Sequence, residues 1–196
     1  MEKEKNCMEG LIREIDERRA KRALQATPIP EEVINRLLKA ATYAPSCFNN
    51  QPWRIIVTNS QDSLDIIKAN LPEGNYWVKQ SPLIFLFTTK NELDCQLNDN
   101  RNYALFDLGL AAENLILQAV KEGLIAHPIA GFKPVPIKEA LGIPQDYTLI
   151  VLIVTGYPGE ITLLSEKDKS REAAERVRKP DKEVIMYNRW IGERDS

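Results

Sequence analysis

The stretch DLGLAAENLILQAVKEGL, residues 107–124, runs directly into IAHPIAGF, residues 125–132, and its reading decides the fold. Leu105, Leu108, Ala112, Leu115, Ile116 and Ala119 recur at helical spacing, so a helix is predicted from about Arg101 to Glu122. Leu110, Ala111 and Leu117 fall on its other side, and a helix apolar on most faces is a buried one. Gly109, Ala111 and Ala112 keep it thin, so a second helix can approach closely. Gly123 stops the helix, and Leu124–Ile129 reads as a strand.

Outward from this pair, Thr148–Thr155 (TLIVLIVT) is a continuous apolar strand with the character of a central one. Arg54–Thr58 and Leu83–Thr88 are shorter strands, with a helical stretch at Ser63–Ala69 between them, and Pro134–Leu141 forms a short helix. Val33, Ile34, Leu37, Leu38 and Ala41 predict a helix opened by Pro30 and running to about Tyr43. A short helix within Leu11–Leu24 should end near Arg18–Arg22. Strands and helices mix without strict alternation, which makes the fold class α+β. No linker divides the chain, so residues 1–179 form one domain. Residues 180–196 carry Tyr187 and Trp190 among charges and have too few apolar side chains to fold alone. They are expected to lie on another surface.

A chain of 196 residues, 43% hydrophobic and 28% charged, is a globular protein with a substantial core. Its net charge of −2 disfavours sequence-independent nucleic-acid binding, and no aromatic platform accompanies its basic cluster. No uninterrupted apolar run reaches a membrane span, and MEKEKNCMEG lacks the apolar core of a signal peptide. A cytoplasmic protein is expected. Cys7, Cys47 and Cys95 are far apart; neither a disulfide framework nor a zinc site follows from that spacing, and reduced thiols are expected. There is no GxGxxG after a strand and no phosphate-binding P-loop. The single histidine, His127, sits inside a strand, where a packing role is the ordinary one.

Three segments suit an anionic, planar ligand. Arg18, Arg19, Lys21 and Arg22 place four cations in five residues just before a proline break, a clamp for phosphate that would otherwise be a solvated charged face. Ala44-Pro45-Ser46-Cys47-Phe48-Asn49-Asn50-Gln51-Pro52-Trp53 is dense in amides and hydroxyls, which match a heterocycle with alternating C=O and N–H groups. His127–Lys133 delivers the small pair Ala130-Gly131, where a bulky ring can approach backbone.

Taken together, RRAKR (18–22), YAPSCFNNQPWRIIV (43–57), the 107–124 stretch, PIAGF (128–132), ALGIPQDY (140–147), LIVLIVTGYP (149–158) and RVRKP (176–180) make the chain resemble the FMN-dependent nitroreductase family. The resemblance implies a mainly antiparallel sheet flanked by helices, in an intertwined homodimer with FMN at the interface. On that pattern Arg18, Arg19, Ala20 and Arg22 would meet the phosphate and ribityl chain, with Arg176 and Arg178. Pro45, Ser46, Cys47, Asn49 and, more weakly, Gln51 would come from the other subunit to line the isoalloxazine. Pro128, Ile129, Ala130 and Gly131 would lie along the ring, and Asp107 near it. Ala20 stands where the family usually has Ser, which removes one hydroxyl contact.

The implied chemistry is hydride transfer from NADH or NADPH through flavin N5 to small organic acceptors such as nitroaromatics or quinones, in ping-pong order. The flavin carries that chemistry, so no catalytic side chain and no metal is expected. Reductive dehalogenation, flavin fragmentation, or FMN binding without turnover are the alternatives.

Overall fold

The computed structural model describes residues 10–190; Cys7 and the last six positions of the C-terminal arm lie outside them. Four strands form one antiparallel sheet: β1 (Arg54–Thr58), β2 (Leu83–Thr89), β3 (Ile125–Ile129) and β4 (Thr148–Gly156), in spatial order β1-β2-β4-β3. β4 is central, as its unbroken apolar run requires. The register pairs Ile56 with Leu86, Phe85 with Ile153 and His127 with Val154, with one irregularity between Phe87 and Thr88.

Both faces of the sheet are covered, which explains why β2 (LIFLFTT) is buried throughout. Alternate residues of a strand point to opposite faces. Leu83, Phe85 and Phe87 therefore join one core with helices α2 (Glu31–Thr42) and α4 (Tyr103–Lys121), while Ile84 and Leu86 join another. That second core includes Leu64 and Ile67 of α3 (Gln61–Ala69) and Ile137 of α5 (Pro134–Ala140).

α4 is the longest helix. The Asn102 side chain caps it by accepting the Ala104 N–H at 3.1 Å, and Gly123, at φ 74, turns the chain out of it. Despite Asp107 and Glu113, its length and composition would suit a membrane span, but it is a core helix, packed on α2, β2 and β3. Its Ala104, Leu108, Ala111, Leu115, Ile116 and Ala119 are buried, while Leu105 and Phe106 are 51% and 60% exposed. The second face expected at Leu110, Ala111 and Leu117 is largely covered, Ala111 fully and the other two in part, whereas Leu105, expected on the core face, is exposed beside Phe106.

α1 (Arg13–Glu17) is shorter than the sequence suggested: it ends before Arg18, and the arginine segment that follows is extended. A cluster of like charges gains nothing from being wound into one helical turn. Downstream, Gln25 N–H donates to the Tyr157 carbonyl at 2.9 Å and Gly159 N–H to that of Ala23 at 2.9 Å. A Cβ at Gly159 would collide with the Leu24 carbonyl, so only glycine permits this close approach. The chain then forms α6 (Glu166–Ala173) and the short α7 (Asp181–Val184), after which Tyr187 and Trp190 stand 80% and 78% exposed.

Candidate functional site

Arg18, Arg19, Ala20 and Arg22 meet Arg171, Arg176 and Arg178 around an open cleft of about 470 Å³. Two distant stretches of sequence, RRAKR and RVRKP, thus converge, as the family resemblance implied. Arg176 is the keystone. Its guanidinium donates to the backbone carbonyls of Ile15 (3.2 Å), Asp16 (2.7 Å) and Arg18 (2.6 Å), tying the C-terminal stretch to the end of α1. Arg19 donates to the Ala174 carbonyl in the same way.

The charges in this cleft do not balance. Asp168, 4% exposed, holds Arg22 at 3.6 Å and Arg171 at 3.1 Å, and Glu172 accepts the Arg22 backbone N–H. Burial pushes the Asp168 carboxyl up, yet hydrogen bonds from Tyr76, Ser165 and Arg171 outweigh it and leave it below the usual carboxylate range. Among the described residues no acidic side chain pairs with Arg18, Arg19, Arg176 or Arg178. Burial, and then the neighbouring Arg18, Arg178 and Arg19, pull the Arg176 pKa below its usual value. Six arginines line the cleft against one acidic residue, Glu175, and such a surplus of cations forms a site for an anion, the arginine fork fitting phosphate. Ala20 is exposed in the cleft and offers only its backbone.

His127 links this cleft to the edge strand. Its Nδ1 lies 2.9 Å from the Lys21 carbonyl, so Nδ1 carries the proton and donates. Its ring packs on Trp77 with centroids 4.7 Å apart, and the Arg22 guanidinium lies 6.0 Å from the Trp77 ring centre. Burial lowers its pKa to about 4 against the opposing pull of the Lys21 bond. His127 is a neutral packing residue that positions the arginine segment.

From there β3 carries Pro128 outward on the sheet edge, where a residue without an N–H is tolerated. Ala130 and Gly131 are exposed, but the Ile129 side chain is only 6% exposed and belongs to the core. Strand alternation turns the Ile129 side chain inward and leaves only its backbone at the outer edge. The Gly131 carbonyl accepts from Asn75 Nδ2 at 2.8 Å, and a Cβ at Gly131 would touch Asn75 and Pro72 at 3.4 and 3.5 Å.

The loop after α2 lies apart from this cleft and is held by its own bonds. Pro45 is exposed; Ser46 Oγ accepts the Gln51 N–H at 2.9 Å, and the Asn49 N–H reaches the Ser46 carbonyl at 3.0 Å. Phe48, Asn49 and Gln51 take left-handed conformations, at φ 48, 60 and 50, and Phe48 is 92% exposed. Asp107 Oδ2 accepts the Cys47 N–H at 2.7 Å. Burial raises the Asp107 pKa, the Cys47 bond lowers it, and the adjacent Asp94 carboxyl raises it further.

One expectation is overturned here. Cys47 and Cys95 are bonded as a disulfide rather than held as free thiols, joining positions 48 residues apart. The short helical turn Cys47–Asn49 and the segment leading into α4 meet at the α4 N-terminus, a proximity that sequence spacing does not reveal. Asp94 and Cys95, beside the loop, and Arg171, in the cleft, are the other residues the sequence reading missed.

The sequence profile of the Nitroreductase family matches residues 15–76 and 69–157. A Methanothermobacter thermautotrophicus protein with the provisional name NADH dehydrogenase/NAD(P)H nitroreductase is 29% identical over 155 residues, 76% of this chain and 78% of its own. The Bacillus subtilis FMN reductase (NAD(P)H) is 25% identical over 146 residues, 71% of this chain and 58% of that protein. A crystal structure of an FMN-containing oxidoreductase superposes with a TM-score of 0.78 and 28% identity, over 90% of each chain. With the profile spanning sheet, core helix and arginine segment alike, this chain belongs to the nitroreductase family.

Proposed function

We propose that this chain is an FMN-dependent oxidoreductase, active as a homodimer, that draws on NADH or NADPH. The observation that carries the reading is the unneutralised arginine cleft, whose guanidinium groups suit the FMN phosphate. Arg18, Arg19 and Arg178 hold the phosphate, Arg22 reaches the ribityl side, and Arg176 fixes the backbone that carries Arg18. Pro128, the Ile129 backbone, Ala130 and Gly131 form the wall along the ring. Bound there, FMN would supply the two-electron chemistry of a ping-pong hydride transfer between NADH or NADPH and a small organic acceptor.

The chain's own residues bind, orient and exclude water. No acid or base is needed: His127 is neutral and spent on Lys21. Backbone N–H groups and nearby cations are the donors available to stabilise negative charge on a reduced ring. Pro45, Ser46, Cys47, Asn49 and Gln51 lie on a loop bonded to Asp107, Asp94 and Cys95, and on the family pattern they would complete the site from a second subunit. The uncovered Leu105 and Phe106 face of α4 and the exposed Phe48 give that subunit an apolar seat. The arm from residue 180, with Tyr187 and Trp190, would wrap over it.

Steady-state oxidation of NADH and NADPH by the FMN-loaded protein, against nitroaromatics, quinones and halogenated phenols, tests the reading. Turnover of nitroaromatics or quinones is expected. Turnover confined to halogenated phenols, or none with any acceptor, would contradict it.

A further inference from the structure

The Cys47–Cys95 pair sits beside the Asp94 carboxylate, one oxygen of which has no hydrogen-bond donor. The two sulfurs and one Asp94 carboxylate oxygen all lie within 4.8 Å of one another. Asp94 is 8% exposed. Its Oδ1 is occupied, accepting the Cys95 N–H at 2.8 Å and Asn50 Nδ2 at 3.1 Å. Its Oδ2 is buried with no hydrogen-bond partner. The Asp107 carboxyl stands close against Asp94 with no cation among the described residues to separate them. Buried acceptors are normally satisfied, because an orphaned one costs on the order of 1–3 kcal/mol. Either a proton shared with the Asp107 carboxyl or a bound cation satisfies this corner of the molecule.

We propose that, when the disulfide is reduced, Cys47, Cys95 and Asp94 form a three-ligand site for a thiophilic divalent cation, zinc being the best match. Thiolates select zinc over the hard cations magnesium and calcium. Tetrahedral zinc, with Zn–S about 2.3 Å and Zn–O about 2.0–2.2 Å, requires ligand atoms roughly 3.6–3.8 Å apart. The three groups lie within 4.8 Å of one another, so the carboxylate and the sulfurs need draw together only by a side-chain rotation, while the two sulfurs must separate as their bond opens. The fourth coordination position stays open. In the disulfide form each sulfur is spent on the other, so the metal and the disulfide exclude one another.

The conversion balances with an external dithiol. It delivers two electrons and two protons, closing to its own cyclic disulfide while the Cys47–Cys95 bond becomes two thiols. The cation then displaces both thiol protons to solvent. Either state tethers the turn at Cys47 to the segment before α4. The loop at 46–51 is therefore anchored under oxidising conditions by the disulfide and under reducing conditions by the metal. Nothing in this depends on flavin binding, so it stands or fails apart from the proposed function.

The full-length protein, reduced with dithiothreitol and freed of it anaerobically, is titrated with Co²⁺ and then Zn²⁺. Expected are thiolate-to-cobalt charge transfer and tetrahedral d–d bands in the red, clear of flavin absorption, saturating at one ion per chain and bleached by Zn²⁺. The oxidised protein gives neither. Cys95→Ser abolishes the charge-transfer signal or weakens zinc binding by more than the about 10- to 100-fold that loss of an outer partner costs. Asp94→Asn keeps the thiolate band but weakens binding, and Cys7→Ser changes nothing. Circular dichroism of each variant verifies folding, and protection of Cys47 and Cys95 from alkylation by Zn²⁺ in the wild type supplies a readout free of mutation. Octahedral spectra, binding by the oxidised protein, dependence on Cys7, or alkylation unaffected by Zn²⁺ would each overturn the proposal.

Discussion

The carboxylate of Asp107, on the core helix α4, accepts the backbone N–H of Cys47 at 2.7 Å across 60 positions of sequence. It is the bond by which the long core helix fixes the loop of left-handed residues at 48, 49 and 51. Asp107→Ala leaves a half-buried N–H without its acceptor and should cost about 1–3 kcal/mol in urea unfolding. Asp107→Asn, which retains an acceptor oxygen, should recover part of that loss. Identical unfolding midpoints for wild type and Asp107→Ala would show that the bond contributes nothing.

The arginine cleft separates phosphate recognition from ring recognition. Arg18 and Arg178 have no acidic partner among the described residues, so removing either leaves no orphaned carboxylate. Arg18→Ala and Arg178→Ala should each weaken FMN about 10- to 100-fold, the value of one charge-assisted hydrogen bond. Riboflavin, which lacks the phosphate, should bind these variants as it binds the wild type. Fluorescence quenching measures both ligands, and equal losses for the two would remove the phosphate from this cleft.

His127 makes stability depend on pH in a known direction. It protonates at about 6.5 in an unfolded chain but at about 4 in the fold. Between these values the unfolded state binds more protons, so stability is complete above the unfolded pKa and declines as pH falls. By pH 5 the loss from this residue should reach about 2 kcal/mol. Urea unfolding from pH 7 to pH 5 checks this, with His127→Phe expected to flatten the slope. An unchanged slope in that variant would assign the pH dependence elsewhere.

The exposed face of α4 predicts the assembly. Phe106→Glu places a charge beside Leu105 on the exposed apolar patch of α4 and should convert a dimer to monomers in sedimentation velocity, with FMN lost in parallel. A monomeric wild type that nonetheless retains FMN would contradict the shared site.

How much the sequence disclosed depends on how local the signal was. The periodicity of α2 and α4 and the apolar run of β4 reveal their burial directly, because burial there is a property of one segment. The arginines at 18–22 and 176–178 were legible as a pair only through family resemblance, and Arg171 escaped because it sits on a helix of mixed charge. The α1 boundary shifted because charge repulsion within RRAKR competes with helix propensity. The Cys47–Cys95 pairing and the Asp94–Asp107 contact were invisible, since each arises where a loop folds back onto the α4 N-terminus. At Ile129 the motif does not tell backbone from side chain: the strand turns the side chain into the core and leaves only the backbone at the outer edge.

Anaerobic reduction is the most direct test of the central claim. The purified chain, reconstituted with FMN, is mixed with NADH and separately with NADPH while the flavin absorption is followed. Bleaching of one flavin per chain by at least one of the two nucleotides, restored by a quinone or nitroaromatic, is the predicted result. A chain that refuses FMN, or holds it unbleached by both nucleotides, contradicts the account.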